Sequence, residues 1–218
     1  MRITHLGHAA VLAESGDVRI LIDPGNFSED WHGLTDLDAI LVTHIHPDHV
    51  DPDQLPLLLA ANPGAGLYTE PGIPAAVTAQ ELPDLGAITA LPAGESVTVG
   101  SVTIAAVGGQ HAEIHRDIPR IGNVGLVLRA EGEPTLFHPG DSYATAPAGV
   151  DVLALPAYGP WAAMKETIDF TRAVGARHGF PIHDGLLNDR GRGLVLNRVN
   201  AMTDTAVVDL RDGVPHQF

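Results

Sequence analysis

The chain alternates between short apolar segments and polar, glycine-rich turns, a pattern typical of closely spaced β-strands. The first part contains an apolar run at 37–42, interrupted only by Asp38, which predicts a buried strand. Helical composition follows this run, although Pro56 argues against a long first helix. The predicted strands of this part are 2–6, 10–14, 18–22, 37–42, 87–90, 96–99 and 102–107, and the predicted helices are 53–61 and 74–82.

The second part repeats this order, with strands first and helices later. Its clearest helix is 163–174, in which Met164, Ile168, Phe170 and Thr171 lie near one face. Strands are predicted at 124–129, 135–138, 152–155 and 177–182, and the tail from Leu194 is predicted to form a helix followed by a strand at 205–210. Two sheets packed between outer helices accommodate both parts. Because no linker or repeat interrupts the chain, we predict a single α+β domain spanning 1–218.

Composition narrows the functional classes. The 218 residues include 12 basic and 27 acidic ones, and the resulting net charge of −15 opposes binding to nucleic acid or anionic lipid. No apolar stretch is long enough to cross a membrane, and the first residues lack the pattern of a signal peptide, so we expect a cytoplasmic location. The chain has no cysteine, which excludes disulfides and thiolate metal ligands.

The segment after the apolar run concentrates metal-binding side chains. His44, His46, Asp48 and His49 form the pattern His-x-His-x-Asp-His. Side chains alternate along an extended strand, so His44 and His46 are expected to project to one side, while a turn brings Asp48 and His49 from another direction. Imidazole and carboxylate ligands suit zinc, and manganese or iron as well. A solvated polar loop is the alternative, but three histidines in six residues argue against it.

This motif resembles the signature of the metallo-β-lactamase superfamily. The resemblance implies a four-layer αββα sandwich with the metal site at one edge of its two sheets. In that family three further ligands stand at strand ends, and the sequence offers His111, Asp141 and His183 in the same order. The resemblance implies two divalent ions, with zinc as the first expectation. It divides the ligands into His44, His46 and His111 for one ion, Asp48, His49 and His183 for the other, and Asp141 bridging both.

Two adjacent ions can share a hydroxide, because coordination lowers the pKa of water toward neutrality. We expect this hydroxide to attack a small ester, lactone or phosphodiester, so that the partner is a small-molecule substrate. Asp48 would orient the nucleophile or pass a proton to the leaving group. The expected catalytic residues are therefore Asp48, Asp141 and His8, the last because the family's Gly-His motif suggests that it reaches the pocket.

Within the superfamily, the chain looks closest to small single-domain hydrolases related to L-ascorbate-6-phosphate lactonase and N-acylphosphatidylethanolamine phospholipase D. The residues that carry this likeness are Leu6-Gly7-His8-Ala9, Ile22-Asp23-Pro24 and His138-Pro139-Gly140-Asp141. Asp141 separates the chain from β-lactamases of this fold, which lack a bridging aspartate. His46 separates it from flavodiiron oxygen reductases, which place an acidic residue there.

Several residues keep two interpretations. Asp23 either orients a metal-bound imidazole or is a turn residue before a proline. His8 and His138 are either functional or structural, the structural form being a buried histidine bonded to backbone or a polar strand end. Trp161 is either a pocket wall or, as the default, a core residue. His115, in the loop after His111, either contacts substrate or, as the default, is a surface residue. The remaining histidines are expected to be structural or at the surface: His5, His32, His178 and His216.

Two other functions stay open. A metal-binding sensor or interaction module that has lost catalysis would keep the fold, but it would not need all seven ligands. A ribonuclease would need basic strips at the pocket rim, and the only dense basic cluster is Arg190-Gly191-Arg192. Substrate specificity is expected in the loops 26–36, 111–121 and 158–163. Formation of a homo-oligomer is also left open.

Overall fold

The structure, a computed structural model, describes residues 1–218 and contains fourteen strands and four helices. The strands are β1 (Arg2–His5), β2 (Val11–Ser15), β3 (Val18–Ile22), β4 (Ala39–Val42), β5 (Gly66–Thr69), β6 (Ile88–Ala90), β7 (Ser96–Val99), β8 (Val102–Gly108), β9 (Val124–Arg129), β10 (Leu136–His138), β11 (Val152–Pro156), β12 (His178–Ile182), β13 (Ala206–Val207) and β14 (His216–Gln217). The helices are α1 (Leu55–Ala61), α2 (Gly72–Thr78), α3 (Met164–Val174) and α4 (Asp189–Met202).

The strands form two mixed sheets of seven strands each. Sheet one has the order β14-β1-β2-β3-β4-β5-β6, and sheet two has the order β13-β12-β11-β10-β9-β8-β7. The strands β14-β1-β2-β3 and β7-β8-β9-β10 pair antiparallel, whereas β3 to β6 and β10 to β13 pair in parallel. The predicted pair of mixed sheets is confirmed.

Alternation along β4 explains why a wholly apolar strand stands at the centre of a layered fold. Ala39 and Leu41 belong to the core between the two sheets, whereas Ile40 and Val42 belong to the core under α1 and α2. All four are at most 1% exposed. A third core, which includes Ile168, lies between sheet two and the helices α3 and α4. The order helix, sheet, sheet, helix confirms the predicted αββα sandwich.

The largest difference from the predicted elements is the start of the last helix. It begins at Asp189 and not at Leu194, since the Asn188 side chain accepts a hydrogen bond from the Gly191 N–H at 2.9 Å and caps the first turn. Gly191 and Gly193 have low helix propensity and hide this start in the sequence. The predicted strand at 205–210 shortens to β13. Two strands were not predicted: β5, which pairs with β4 and β6, and β14, which pairs with β1.

The helix predicted at 74–82 instead runs from Gly72 to Thr78. Pro74 therefore stands in its first turn, where backbone N–H groups make no intrahelical hydrogen bond and a proline loses none. Helix α1 is short, as Pro56 suggested. No helix in the structure combines the length and the apolar character that a membrane span requires.

Candidate metal centre

The seven predicted ligands lie together at one edge of the two sheets. Sheet one supplies the four that follow β4, and sheet two supplies His111 after β8, Asp141 after β10 and His183 after β12. The ligand atoms of these seven residues and of His8 form two groups, and within each group all atoms lie within 4.8 Å of one another. The first group is His44, His46, His111 and Asp141, and the second is His8, Asp48, His49 and His183. The site therefore exists only where both sheets meet.

Asp141 lies between the two groups. Its Oδ2 is 3.4 Å from Nε2 of His111 in the first group and 3.0 Å from Nε2 of His183 in the second. Its Oδ1 is 3.2 Å from Nε2 of His49. A buried carboxylate that contacts imidazoles of both groups occupies the place that a bridging ligand needs.

His44 and His46 face the same group, but for a different reason from the predicted one. Strand β4 ends at Val42, so strand alternation does not position either histidine. They lie in a bend that is followed by a turn, in which the His49 N–H donates to the His46 carbonyl at 2.9 Å. Their ring centroids are 4.9 Å apart. The shared direction is confirmed, and the explanation by strand periodicity is wrong.

Five buried ring nitrogens at the site have no hydrogen-bond partner: Nε2 of His44, His49, His111 and His183, and Nδ1 of His183. Asp141 Oδ1 is also without one. Buried polar atoms are nearly always paired, so six orphaned atoms in one place need an explanation. Three of these nitrogens lie 3.0–3.4 Å from the Asp141 carboxylate without hydrogen-bond alignment. Lone pairs that converge in this way fit divalent metal ions.

The opposite sides of three of these rings are tied to the protein, whereas Nδ1 of His183 makes no hydrogen bond. Asp23, which is fully buried, accepts the Nδ1–H of His49 and the Thr43 hydroxyl, both at 2.7 Å. Because the Thr43 proton goes to Asp23, the Thr43 oxygen accepts the Nδ1–H of His44 at 3.0 Å. The Nδ1–H of His111 donates to a backbone carbonyl at 2.7 Å. One carboxylate thus orients an imidazole of each group and leaves both Nε2 atoms free, which favours the orienting role for Asp23.

His8 is held from both sides. The Gly185 N–H donates to its Nδ1 at 3.1 Å, so the proton of the neutral ring is on Nε2 and is donated to Asp48 Oδ2 at 3.0 Å. His8 is 2% exposed and lies under the ring of Phe27, with centroids 4.9 Å apart. This geometry makes His8 a support of Asp48, and contact with substrate stays a prediction.

Two other buried histidines bond to the backbone. His138 accepts the Gly140 N–H at 3.2 Å and donates to the Ala9 carbonyl at 3.1 Å. It therefore fixes the turn that carries Asp141, which favours the structural interpretation of His138. His5, expected to be structural or at the surface, is 3% exposed and bonds to the backbone carbonyl of His8 at 3.0 Å.

The backbone is strained at three residues of the site. His8, Asp23 and His183 adopt φ values of 48°, 50° and 53°, in the left-handed region that favours glycine. Such conformations cost roughly 1–3 kcal/mol each and persist where the surrounding structure enforces them. Here each one aims a side chain into the site.

Two protonated histidines, His49 and His183, balance the negative charge of the carboxylates. Burial and the neighbouring His49 lower the pKa of His44 well below its usual value, so its ring is neutral. Burial opposes charge on His183, but Asp141 and Asp48 outweigh it and raise the pKa of His183 to about 9. Burial would raise the pKa of Asp141, yet His49 and His183 hold it well below its usual value. Bound cations would replace these protons.

A cavity of about 400 Å³ opens over the site. Five candidate ligands line it: His46, Asp48, His111, Asp141 and His183. Each loop predicted to carry specificity contributes an apolar side chain, namely Phe27, Ile114 and Trp161. Leu186, in the loop after His183, also lines the cavity and was missed, since nothing in its local sequence distinguishes it.

Trp161 connects the cavity to the centre of the site. It is partly exposed, and its Nε1–H donates to Asp141 Oδ2 at 2.9 Å. Its ring packs on Tyr143, with centroids 4.9 Å apart. The default expectation of simple core packing is therefore wrong, and Trp161 is a wall that also holds the central carboxylate.

The basic cluster at 190–192 is partly internal. Arg192 is 1% exposed and is bonded to Asp184 and, at 2.7 Å, to Asp209. Asp184 directly follows His183, so this pairing braces the His183 turn from α4. Since Arg192 is committed to carboxylates, it does not supply the basic rim that a ribonuclease requires.

Comparison with known proteins agrees with this geometry. Residues 2–183 match the family described as Beta-lactamase superfamily domain. The chain belongs to the beta-lactamase superfamily. The superfamily expected from the motif is thereby confirmed, whereas the narrower lactonase and phospholipase D branch stays a prediction.

Relatives within the superfamily cover most of the chain. Protein Rv0786c of Mycobacterium tuberculosis is 42% identical over 94% of this chain and 94% of that protein. A UPF0173 metal-dependent hydrolase of Rubrobacter xylanophilus is 32% identical over 84% of this chain and 81% of that protein. The crystal structure of the metallo-beta-lactamase fold protein YhfI from Bacillus subtilis superposes with a TM-score of 0.76 over 100% of this chain and 99% of that one. At 15% identity, this last similarity shows the fold alone.

Proposed function

We propose that this chain uses two divalent ions, with zinc as the first candidate, to hydrolyse a small ester, lactone or phosphodiester. At the coarser level it is a metal-dependent hydrolase, the activity that the name of its Rubrobacter relative states. The observation that carries the proposal is the pair of ligand groups with orphaned Nε2 atoms, with Asp141 between them, beneath an open cavity.

The proposed ligands are those implied by the resemblance: His44, His46 and His111 for one ion, Asp48, His49 and His183 for the other, and Asp141 for both. Two ions held by these residues would supply a hydroxide nucleophile at neutral pH and would polarise the reacting oxygen of the substrate. Asp23 orients His49 directly and His44 through Thr43. His8 fixes Asp48, which lines the cavity and is placed to orient water or pass a proton.

The open cavity also bears on the alternatives. A sensor module needs no substrate-sized space over its ligands, and the cavity of about 400 Å³ supports a hydrolase instead. The narrower likeness to the lactonase and phospholipase D branch supports including lactones and phosphodiesters among the substrates tested.

Two histidines of one loop provide a matched test. His111→Ala removes a proposed ligand, whereas His115→Ala removes a ring whose side chain is 57% exposed. Metal content is measured by mass spectrometry after reconstitution, together with turnover of a panel of esters, lactones and phosphodiesters. We expect two ions and turnover in the unmodified chain and in His115→Ala, and loss of both full occupancy and turnover in His111→Ala. Saturation of the unmodified chain at one ion, or a fully active His111→Ala, would contradict the proposal.

A further inference from the structure

Apart from the candidate ligands, the cavity over the metal centre is almost wholly apolar. Asn26 is the only other polar side chain that lines it. Two of the apolar ones are well exposed, Phe27 at 48% and Leu186 at 57%. Large apolar side chains exposed together beside a site usually mark a binding surface. The apolar lining residues are Phe27, Pro47, Ile114, Pro160, Trp161 and Leu186.

No lysine or arginine lines this cavity. Arg120 lies in the same loop as Ile114, but its guanidinium donates twice to the His111 carbonyl, at 2.8 and 3.1 Å. In the adjoining cavity, Arg192 and Arg211 are paired with carboxylates. An anionic group held within this cavity would therefore find no cationic side chain among the residues that line it.

Anionic and apolar substrate groups differ sharply in how favourably they bind to such a surface. An anionic group carried away from the reacting bond would lie on apolar side chains, in a chain of net charge −15, and would lose its hydration without gaining a partner. An apolar group would leave water on the same surface, which is favourable. Since positive charge comes only from the bound ions, it acts on the reacting bond and not on the rest of the substrate.

We propose that the substrate is a neutral carboxylic ester or lactone that carries an apolar group, and that Phe27, Ile114, Trp161 and Leu186 bind this group. The inference rests on the proposed hydrolase function. In the reaction, the oxygen of one water bonds to the carbonyl carbon and the ester C–O bond breaks. The departing alkoxide takes up a proton, so that an ester gives a carboxylic acid and an alcohol, and a lactone gives a single hydroxy acid.

A set of matched chromogenic substrates tests the substrate class on the metal-reconstituted protein. The neutral 4-nitrophenyl hexanoate is compared with the acetate, with the anionic mono-4-nitrophenyl adipate and with bis(4-nitrophenyl) phosphate, each rate being divided by that in hydroxide alone. We expect kcat/KM for the hexanoate to exceed the other three at least tenfold. Preference for the adipate or the phosphate would reject this inference and keep the hydrolase. Hydrolysis of none of them would overturn both.

A charge placed on the apolar wall tests the surface itself. Leu186→Arg puts a cation at the cavity, and Leu194→Arg is the matched control, since Leu194 is 55% exposed on α4 and does not line it. We expect Leu186→Arg to lower the hexanoate-to-adipate ratio of kcat/KM at least tenfold, with metal content unchanged and no effect from the control. It should also weaken binding of the neutral dye N-phenyl-1-naphthylamine at least fivefold. Equal behaviour of the two variants in both assays would overturn the assignment.

Discussion

Two regions of the molecule bury histidines equally well and use them differently. At the metal centre, His44 and His49 are fully buried, and their Nε2 atoms have no partner. Directly behind it, His5 and His138 are buried to the same degree but bond to backbone carbonyls. Burial alone therefore does not identify a metal ligand. The lone pair that remains after the protein's own hydrogen bonds are made is what distinguishes the two sets.

The largest expected effect comes from the carboxylate that the orphaned nitrogens share. Asp141→Asn keeps the size of the side chain but removes the charge that faces both groups, so turnover should fall on the order of 100-fold or more. Steady-state kinetics with metal analysis measures this. Asp169→Asn, at a side chain that is 76% exposed on α3, is the control and should stay active. An Asp141→Asn protein with two ions and full activity would contradict the bridging role.

A smaller effect is expected at Asp23, which is hydrogen-bonded to the proposed ligand His49. In Asp23→Asn an NH2 group replaces one of the two carboxylate oxygens, so the side chain accepts fewer hydrogen bonds from His49 and Thr43. Both ligand groups then lose orientation. Metal affinity should fall about 10- to 100-fold. Competition with a chromophoric chelator measures the affinity. Unchanged affinity would show that the hydrogen bonds of Asp23 serve the turn alone.

Substitution of a buried histidine that bonds to the backbone should lower the stability of the protein and leave its metal binding unchanged. His138→Ala leaves the Gly140 N–H and the Ala9 carbonyl without their partner, and the free energy of unfolding should fall by roughly 2 kcal/mol. Urea unfolding measures this loss, while the folded fraction should still bind two ions. Loss of an ion at unchanged stability would erase the distinction between the two sets.

The smallest effect is a pH dependence of the metal-free protein. The pKa of His183 is raised to about 9, so its charged form stabilises the fold fully below its unfolded value near 6.5, and this contribution is lost as pH rises toward 9. The melting temperature of metal-free protein should therefore contain a downward component between pH 6.5 and 9. His183→Gln should remove that component, and bound metal should remove it as well. An identical pH profile in His183→Gln would contradict the assignment.

The parts of this site that could be predicted are those that are local in sequence or tied to strand ends. His44 to His49 form a continuous motif, and His111, Asp141 and His183 follow strands in the order of a known family. The contacts that orient them could not be predicted. His8 meets Asp48 across 40 residues, and the indole N–H of Trp161 meets Asp141 only once the strand-following loops pack together. Such partners depend on tertiary packing, which no local pattern encodes.

The same dependence limits the fold prediction. Most strands were found because alternation and burial act locally. The four-residue β5, which begins at a glycine, was missed, and β14 has only two residues and is defined by its pairing with β1. The early start of α4 was hidden for a similar reason. Its cap is a single side-chain contact, from Asn188 to Gly191, within a stretch of weak helix formers.

The division of ligands between the two sheets has a consequence for refolding. Sheet one contributes His44, His46, Asp48 and His49, and sheet two contributes His111, Asp141 and His183, so neither sheet alone assembles a complete group. High-affinity metal uptake should then appear only when the sheets dock, later than the formation of secondary structure. Ions that bind only the docked state also slow its opening. Stopped-flow capture of cobalt during refolding would time that docking step directly.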